Sequence, residues 1–99
     1  MIEKNKQVKK LIKLVNNIFG NDIFTVVNYW CDESSIGLKK DNKLIYVCIY
    51  NKNGYFYESE ILLDDPEEPY IVQDSKNVSE EQLLEVISKF FEIERKKLN

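Results

Sequence analysis

The side chains with chemical potential are few and mostly of one kind. Asp64-Asp65 and Glu67-Glu68 make two adjacent carboxylate pairs, and Cys31 and Cys48 are the two thiols of a chain that contains no histidine. Without histidine the commonest general base is missing, and so are the Ser-His and Cys-His nucleophile pairs. The paired carboxylates lie on one polar segment, where nothing apolar would raise one pKa above its neighbour, so an acid/base couple of the glycosidase kind is not expected. Their spacing does not match a calcium-binding EF-hand loop either. Two thiolates alone do not complete a tetrahedral zinc site, and a disulfide between them needs adjacent strands in register. Both therefore read as reduced thiols within strands. Glu58, expected across from Cys48, would raise the thiol pKa rather than activate it. The glycines Gly20, Gly37 and Gly54 are isolated and cradle no phosphate. The expectation is no catalytic residue, no metal, no cofactor and no enzyme.

Charge is more informative. The chain carries a formal net charge of −3, yet from Asn53 to Ser75 it has seven acids (Glu58, Glu60, Asp64, Asp65, Glu67, Glu68 and Asp74) and no Lys or Arg. Such a patch repels phosphate backbones and attracts basic surfaces. Nucleic acid is a poor partner for it and a basic protein a good one. With 43% hydrophobic and 31% charged residues over 99 positions, the composition suits one globular domain, residues 1–99, large enough to be stable without disulfides or metal. No apolar run is long enough to cross a membrane and the N-terminus is charged, which gives a cytoplasmic expectation.

These acids must be held by something, and a hairpin is the clearest element. Leu44 to Tyr50 and Tyr55 to Leu63 read as strands joined by Asn51-Lys52-Asn53-Gly54, a turn of the type I plus glycine-bulge kind. Setting Asn51 opposite Tyr55 puts Ile49 opposite Tyr57, Val47 opposite Ser59 and Ile45 opposite Ile61, an apolar odd face taken as core. The even face sets Tyr46, Cys48 and Tyr50 against Glu60, Glu58 and Phe56, and is taken as the open surface that meets a partner. Upstream, Asp41-Asn42 turns Ser35–Lys40 into the same strand, with Lys40 opposite Lys43, Leu38 opposite Ile45, and Gly37 opposite Tyr46.

The flanks are helical. Residues Glu3 to Phe19 place Val8, Leu11, Ile12, Val15, Ile18 and Phe19 on one stripe, with Gly20 as a left-handed cap and lysines 6, 9, 10 and 13 on the polar face. Those lysines are either a solvated face or neighbours of the Asp64 to Glu68 cluster. Asn77 to Leu98 reads as a second helix, with a Ser79/Gln82 capping box, a Val78–Leu83 staple and a buried stripe of Leu83, Leu84, Ile87, Phe90 and Phe91. Ile23 to Cys31 is a first strand. The loop Asp64-Asp65-Pro66-Glu67-Glu68-Pro69 is stiffened by its prolines, and Tyr70 to Val72 is a short edge strand or an extended crossing segment. The fold class is α+β: N-terminal helix, a four- to five-stranded mostly antiparallel sheet, C-terminal helix, both helices on one sheet face.

The acidic, histidine-free, helix-sheet-helix pattern with the Asp64 to Pro69 loop resembles the small immunity proteins that neutralise polymorphic toxins, including those of bacterial contact-dependent growth inhibition. The resemblance lies in architecture and charge over the whole chain, without a diagnostic motif. It implies a cytoplasmic antitoxin that binds a cognate toxin domain, often a nuclease, by protein–protein contact, and is monomeric or weakly dimeric when free. The partner-binding residues come from the face and charge argument alone: Tyr46, Tyr50, Phe56, Glu58, Glu60, Asp64, Asp65, Glu67 and Glu68. The alternatives are a small acidic secretion-type chaperone or scaffold that holds a client protein, and a phage-type inhibitor of a host enzyme.

Overall fold

The Asp41-Asn42 turn behaves as its residues dictate. A computed structural model describes residues 6–27, 34–51 and 54–95, the side chains of Tyr50 and Asn51 excepted. In it Asp41 takes the left-handed conformation, φ 57°, that a two-residue hairpin turn asks of Asp or Asn. Five strands form one antiparallel sheet in chain order: β1 (Thr25–Val27), β2 (Ser35–Lys40), β3 (Lys43–Asn51), β4 (Gly54–Leu62) and β5 (Tyr70–Val78). The first turn pairs Lys40 with Lys43, Leu38 with Ile45, Ile36 with Val47 and Gly37 with Tyr46, as the sequence predicts.

The second hairpin differs by two residues. Asn51 pairs with Gly54, the register shifts between Cys48 and Asn51, and Val47 then faces Tyr57, Ile45 faces Ser59 and Lys43 faces Ile61. The connection is two residues long, Lys52 and Asn53, both outside the described residues, and an irregularity in β3 absorbs the difference. A shift of two preserves parity, so every residue keeps its face while its partner changes. Cys48 therefore lies opposite Phe56, not Glu58, and Glu58 lies opposite Tyr46.

The odd face is core. Ile45, Val47, Ile49 and Tyr57 are buried with Ile36 and Leu38 against Val8, Leu11, Val15 and Phe19 of α1 (Lys6–Phe19) and Leu83, Leu84, Ile87 and Phe91 of α2 (Glu80–Phe91). Ile61, expected in that core, is only half-buried. Phe24, just before β1, joins the two helix C-termini: its ring meets Phe19 edge-on at 6.1 Å and Phe91 at 4.9 Å. At the other end Lys10 and Lys13 line a cavity of about 500 Å³ with Gly54, Tyr55 and Glu80. That places these two lysines beside the β3–β4 hairpin, at the opposite end of β4 from the acidic loop.

α2 is capped at Ser79 as the sequence predicts, but Asn77 and Val78, expected to open the helix, belong to β5. Ser79 Oγ accepts from Gln82 N–H and Gln82 Oε1 accepts from Ser79 N–H, the two halves of a capping box, with Val78 buried beneath. It ends at Phe91, seven residues before the expected Leu98. Glu92 turns left-handed, the N–H groups of Glu92 and Ile93 both reach Ser88 O, and Ser88 Oγ donates to Ile93 O. Ile93 then folds back onto the core, a Schellman-type closure made without glycine. Lys43 Nζ seals the exposed end by donating to Phe90 O at 2.8 Å. Arg95, expected to extend the helix, instead reaches back to Glu81 at 2.7 Å. Residues 96–99 lie outside the described residues.

Two further corrections concern the sheet edges. β1 is three described residues of the expected Ile23–Cys31, with Tyr29, Trp30 and Cys31 outside the description. β5 is a full nine-residue strand rather than a short Tyr70–Val72 segment.

Replacing Ile45 by Ala is expected to cost roughly 2 to 5 kcal/mol in urea unfolding; less than about 1 kcal/mol would mean that the faces are reversed. Gly37 tests the other face. A Cβ there would sit 2.5 Å from Val27 Cγ2 and 3.1 Å from Leu44 Cδ1. Gly37→Ala is therefore expected to lose about 1 to 3 kcal/mol in the same assay.

Candidate functional site

The partner-binding residues read from the sequence separate into two groups in the structure. Tyr46, Phe56, Glu58 and Glu60 lie on the sheet face away from the helices, and Asp64, Asp65, Glu67 and Glu68 lie on the β4–β5 loop. The side chain of Tyr50 is outside the described residues. The first group is not the open surface expected. Leu44 is 1% exposed, Glu60 3% and Cys48 8%, and Tyr46, Phe56 and Glu58 are half-buried. Ser35, opposite Cys48, is also buried there, with no hydrogen-bond partner for Oγ among the described residues.

Glu60 is the chemically unusual member. It lies between Leu44 of β3 and Val72 of β5, and Glu58, two positions along the strand, projects from the same face. Burial first, then a hydrogen bond and charge repulsion from Glu58, push its carboxyl up from 4.5 to about 7. A carboxyl raised by burial, not expected in the loop, is thus found on the sheet. Its signal was there in the i,i+2 spacing of Glu58 and Glu60, but burial of Glu60 depends on cross-strand neighbours that only the register reveals. At 3% exposure Glu60 presents almost no surface to solvent.

The loop group is open. Asp64, Asp65, Glu67 and Glu68 are all exposed, and none forms an ion pair among the described residues. The loop is nonetheless shaped. Leu63 N–H donates to Pro69 O at 2.7 Å across its neck, and Asp65 Oδ1 accepts from Glu67 N–H at 2.9 Å, while Pro66 and Pro69 restrict the backbone between. A loop fixed in advance loses less entropy on binding.

Directly after it come exposed apolar side chains, on an element other than those carrying Tyr46, Tyr50 and Phe56. Tyr70, Ile71 and Val72 are 47%, 42% and 46% exposed at the start of β5, an edge strand whose first eight residues are all exposed. Farther along β5, Tyr57 donates its hydroxyl to Asp74 Oδ2. Burial, then this bond, raise the Tyr57 hydroxyl to about 12, and the same bond, ahead of the Lys76 charge, holds Asp74 below the usual carboxylate range. Asp74 is thereby engaged within the sheet, unlike the four carboxylates of the loop.

Among the described residues no group of three or more His, Cys, Asp or Glu side chains could hold a metal, and no helix is long and apolar enough to cross a membrane. No family model, curated protein or solved structure matches the chain.

Glu60 yields a pH prediction. Its folded pKa of about 7 lies above the unfolded value of 4.5, so the folded state binds the proton more tightly. The stability this confers is complete below pH 4.5 and is lost as pH rises to about 7, by at most about 3.5 kcal/mol at roughly 1.4 kcal/mol per unit. Chemical denaturation at pH 5 and pH 8 is expected to show this fall in the native chain and a much smaller one in Glu60→Gln.

Proposed function

We propose that this chain is a non-enzymatic, protein-binding inhibitor, of the kind represented by the immunity proteins of polymorphic toxin systems, and that it neutralises a basic, nuclease-type toxin domain by contact. The observation that carries this reading is the juxtaposition at the β4–β5 junction: four exposed carboxylates, without ion pairs among the described residues, on a braced loop, followed immediately by three exposed apolar side chains. Apolar anchors with a charged surround are the anatomy of a specific protein interface, and concentrated negative charge speeds encounter with a basic surface and rejects nucleic acid. The absence of histidine in the sequence and the burial of Glu60 favour binding over catalysis. On this reading the protein works in the cytoplasm of a bacterial cell, without a cofactor, and is monomeric or weakly dimeric until it meets its partner.

The chaperone alternative draws on one observation, a groove of about 490 Å³ between α2 and β5 lined in part by Val78, Val86 and Phe90. Its rim is charged, with Asp74, Lys76, Glu85 and Lys89, which suits an unfolded apolar client less well than the exposed strip suits a folded basic one.

The test is capture from the source cell at low and high salt, with native chain and with the triple variant Asp64→Lys, Glu67→Lys, Glu68→Lys. Asp65 is kept because it holds the loop turn. The expected result is one basic partner, inhibited in its own activity by the native chain, weakened by salt and lost with the variant, whose stability stays within about 0.5 kcal/mol of native. Several unrelated clients held equally by both proteins would favour the chaperone alternative.

A further inference from the structure

The hydrogen bonds at the end of β4 fix which way the backbone of β5 points. Leu62 N–H donates to Asn42 O on the β3 side, and Leu63 N–H donates to Pro69 O on the β5 side. In an antiparallel ladder successive residues alternate between the two neighbours, so Ile61 exchanges hydrogen bonds with Ile71. Tyr70 and Val72, paired with Leu62 and Glu60, then turn their N–H and C=O groups away from β4. The register shift between Ser59 and Glu60 absorbs Gln73, after which Ser75 and Asn77 point outward in the same way. No strand pairs with that outer edge among the described residues.

Edge strands are usually blunted by short length, by charge or by a bulge. Here the bulge at Gln73 and the charges Asp74 and Lys76 guard the second half only, and Tyr70 to Val72 carries no charge at all. Its two outward backbone pairs stand beside exposed apolar side chains, next to the free carboxylates of the loop.

We infer that β5 is a strand-addition site, at which an extended segment of a basic partner pairs with the Tyr70–Val72 edge and sets Lys or Arg side chains against Asp64, Asp65, Glu67 and Glu68. Main-chain hydrogen bonds supply the pairing and side chains the selection. A second copy of this chain fits poorly. Antiparallel pairing of two β5 strands would bring the acidic loop of one copy toward Glu80 and Glu81 at the start of α2 in the other, and parallel pairing would set the two loops together. Both arrangements oppose acid to acid, whereas a basic strand is complementary to the loop and meets no charge along Tyr70 to Val72. The inference rests on the proposed reading of the loop as a contact for basic protein, and adds the mode of recognition.

The probe is a synthetic ten-residue peptide alternating Lys with Val, compared with its Glu-Val counterpart by NMR titration of the intact protein. The Lys peptide is expected to shift the amides of Tyr70 and Val72, and the Glu peptide to bind at least about tenfold more weakly. Val72→Pro removes an outward N–H that has no partner within the sheet, a substitution that edge strands tolerate. It is expected to weaken the Lys peptide about tenfold or more, a hydrogen bond's worth together with lost side-chain contact, while Val72→Thr, which keeps the N–H, retains most of the affinity. Should Val72→Pro unfold, N-methylating alternate residues of the Lys peptide makes the same cut from the other side, since only one of the two alternating sets faces β5.

Equal binding of the Lys peptide to the native chain and to Val72→Pro, or equal tolerance of both N-methylated sets, would overturn strand addition and leave the acidic-loop reading standing. Equal binding of Lys and Glu peptides would overturn the charge reading as well. No binding of either peptide at millimolar concentration would overturn the inference, and so would a native dimer in sedimentation that Val72→Pro dissociates.

Discussion

The structure depends on the position of β3 at the centre of the sheet. Two hairpins hold it, one on each side, and together they set Ile45 and Val47 on the face that both helices cover. A one-residue slip in either hairpin would move that apolar row to the other face and leave α1 and α2 without a surface to bury. Everything outside the centre is less constrained. The helices cover the middle of the sheet and leave β5 exposed over its first eight residues, and the acidic loop lies at the entrance to that uncovered edge.

From this follows a division of the molecule. The β1–β3 side of the sheet is tied by aromatic rings and a capped helix terminus: Phe24 between Phe19 and Phe91, and Lys43 donating to the Phe90 carbonyl while lying 5.4 Å over the Phe90 ring. The β4–β5 edge has few such ties, with Tyr57 to Asp74 and Ser59 to the Asp74 carbonyl as its main side-chain anchors. Exposed backbone, exposed apolar side chains and carboxylates without ion pairs among the described residues thus fall at the same place.

The parts of this arrangement legible in the sequence were those encoded locally. The Asp41-Asn42 turn, the Ser79–Gln82 box and the 3.6-residue stripes of both helices each carry their instructions within a few residues. The β3–β4 register lies two residues from the one the Asn51–Gly54 turn predicts, because the irregularity near Ile49 leaves no composition signal, yet parity and with it the assignment of faces are the same. The full extent of β5 could not be seen, since Tyr70-Ile71-Val72-Gln73-Asp74-Ser75-Lys76-Asn77 has no alternation and owes its conformation to pairing with β4. The early stop of α2 was hidden for a related reason: Glu92 takes the left-handed turn in place of glycine, held by Ser88 and by the return of Ile93 to the core. At the site, the charge of the loop was evident from composition, but its neighbour was not. The even-numbered face looked open and is largely buried, and the exposed apolar residues lie on the edge strand instead.

The central claim is that a partner meets this protein at the β4–β5 edge. Amide hydrogen exchange, followed by mass spectrometry on the free chain and on its complex with the captured partner, tests it most directly. The account predicts new protection concentrated in residues 64–72, with the amides of β3 unchanged because they are already bonded within the sheet. Protection confined to the lysine-bearing face of α1, with residues 64–72 exchanging as fast as in the free protein, would contradict it.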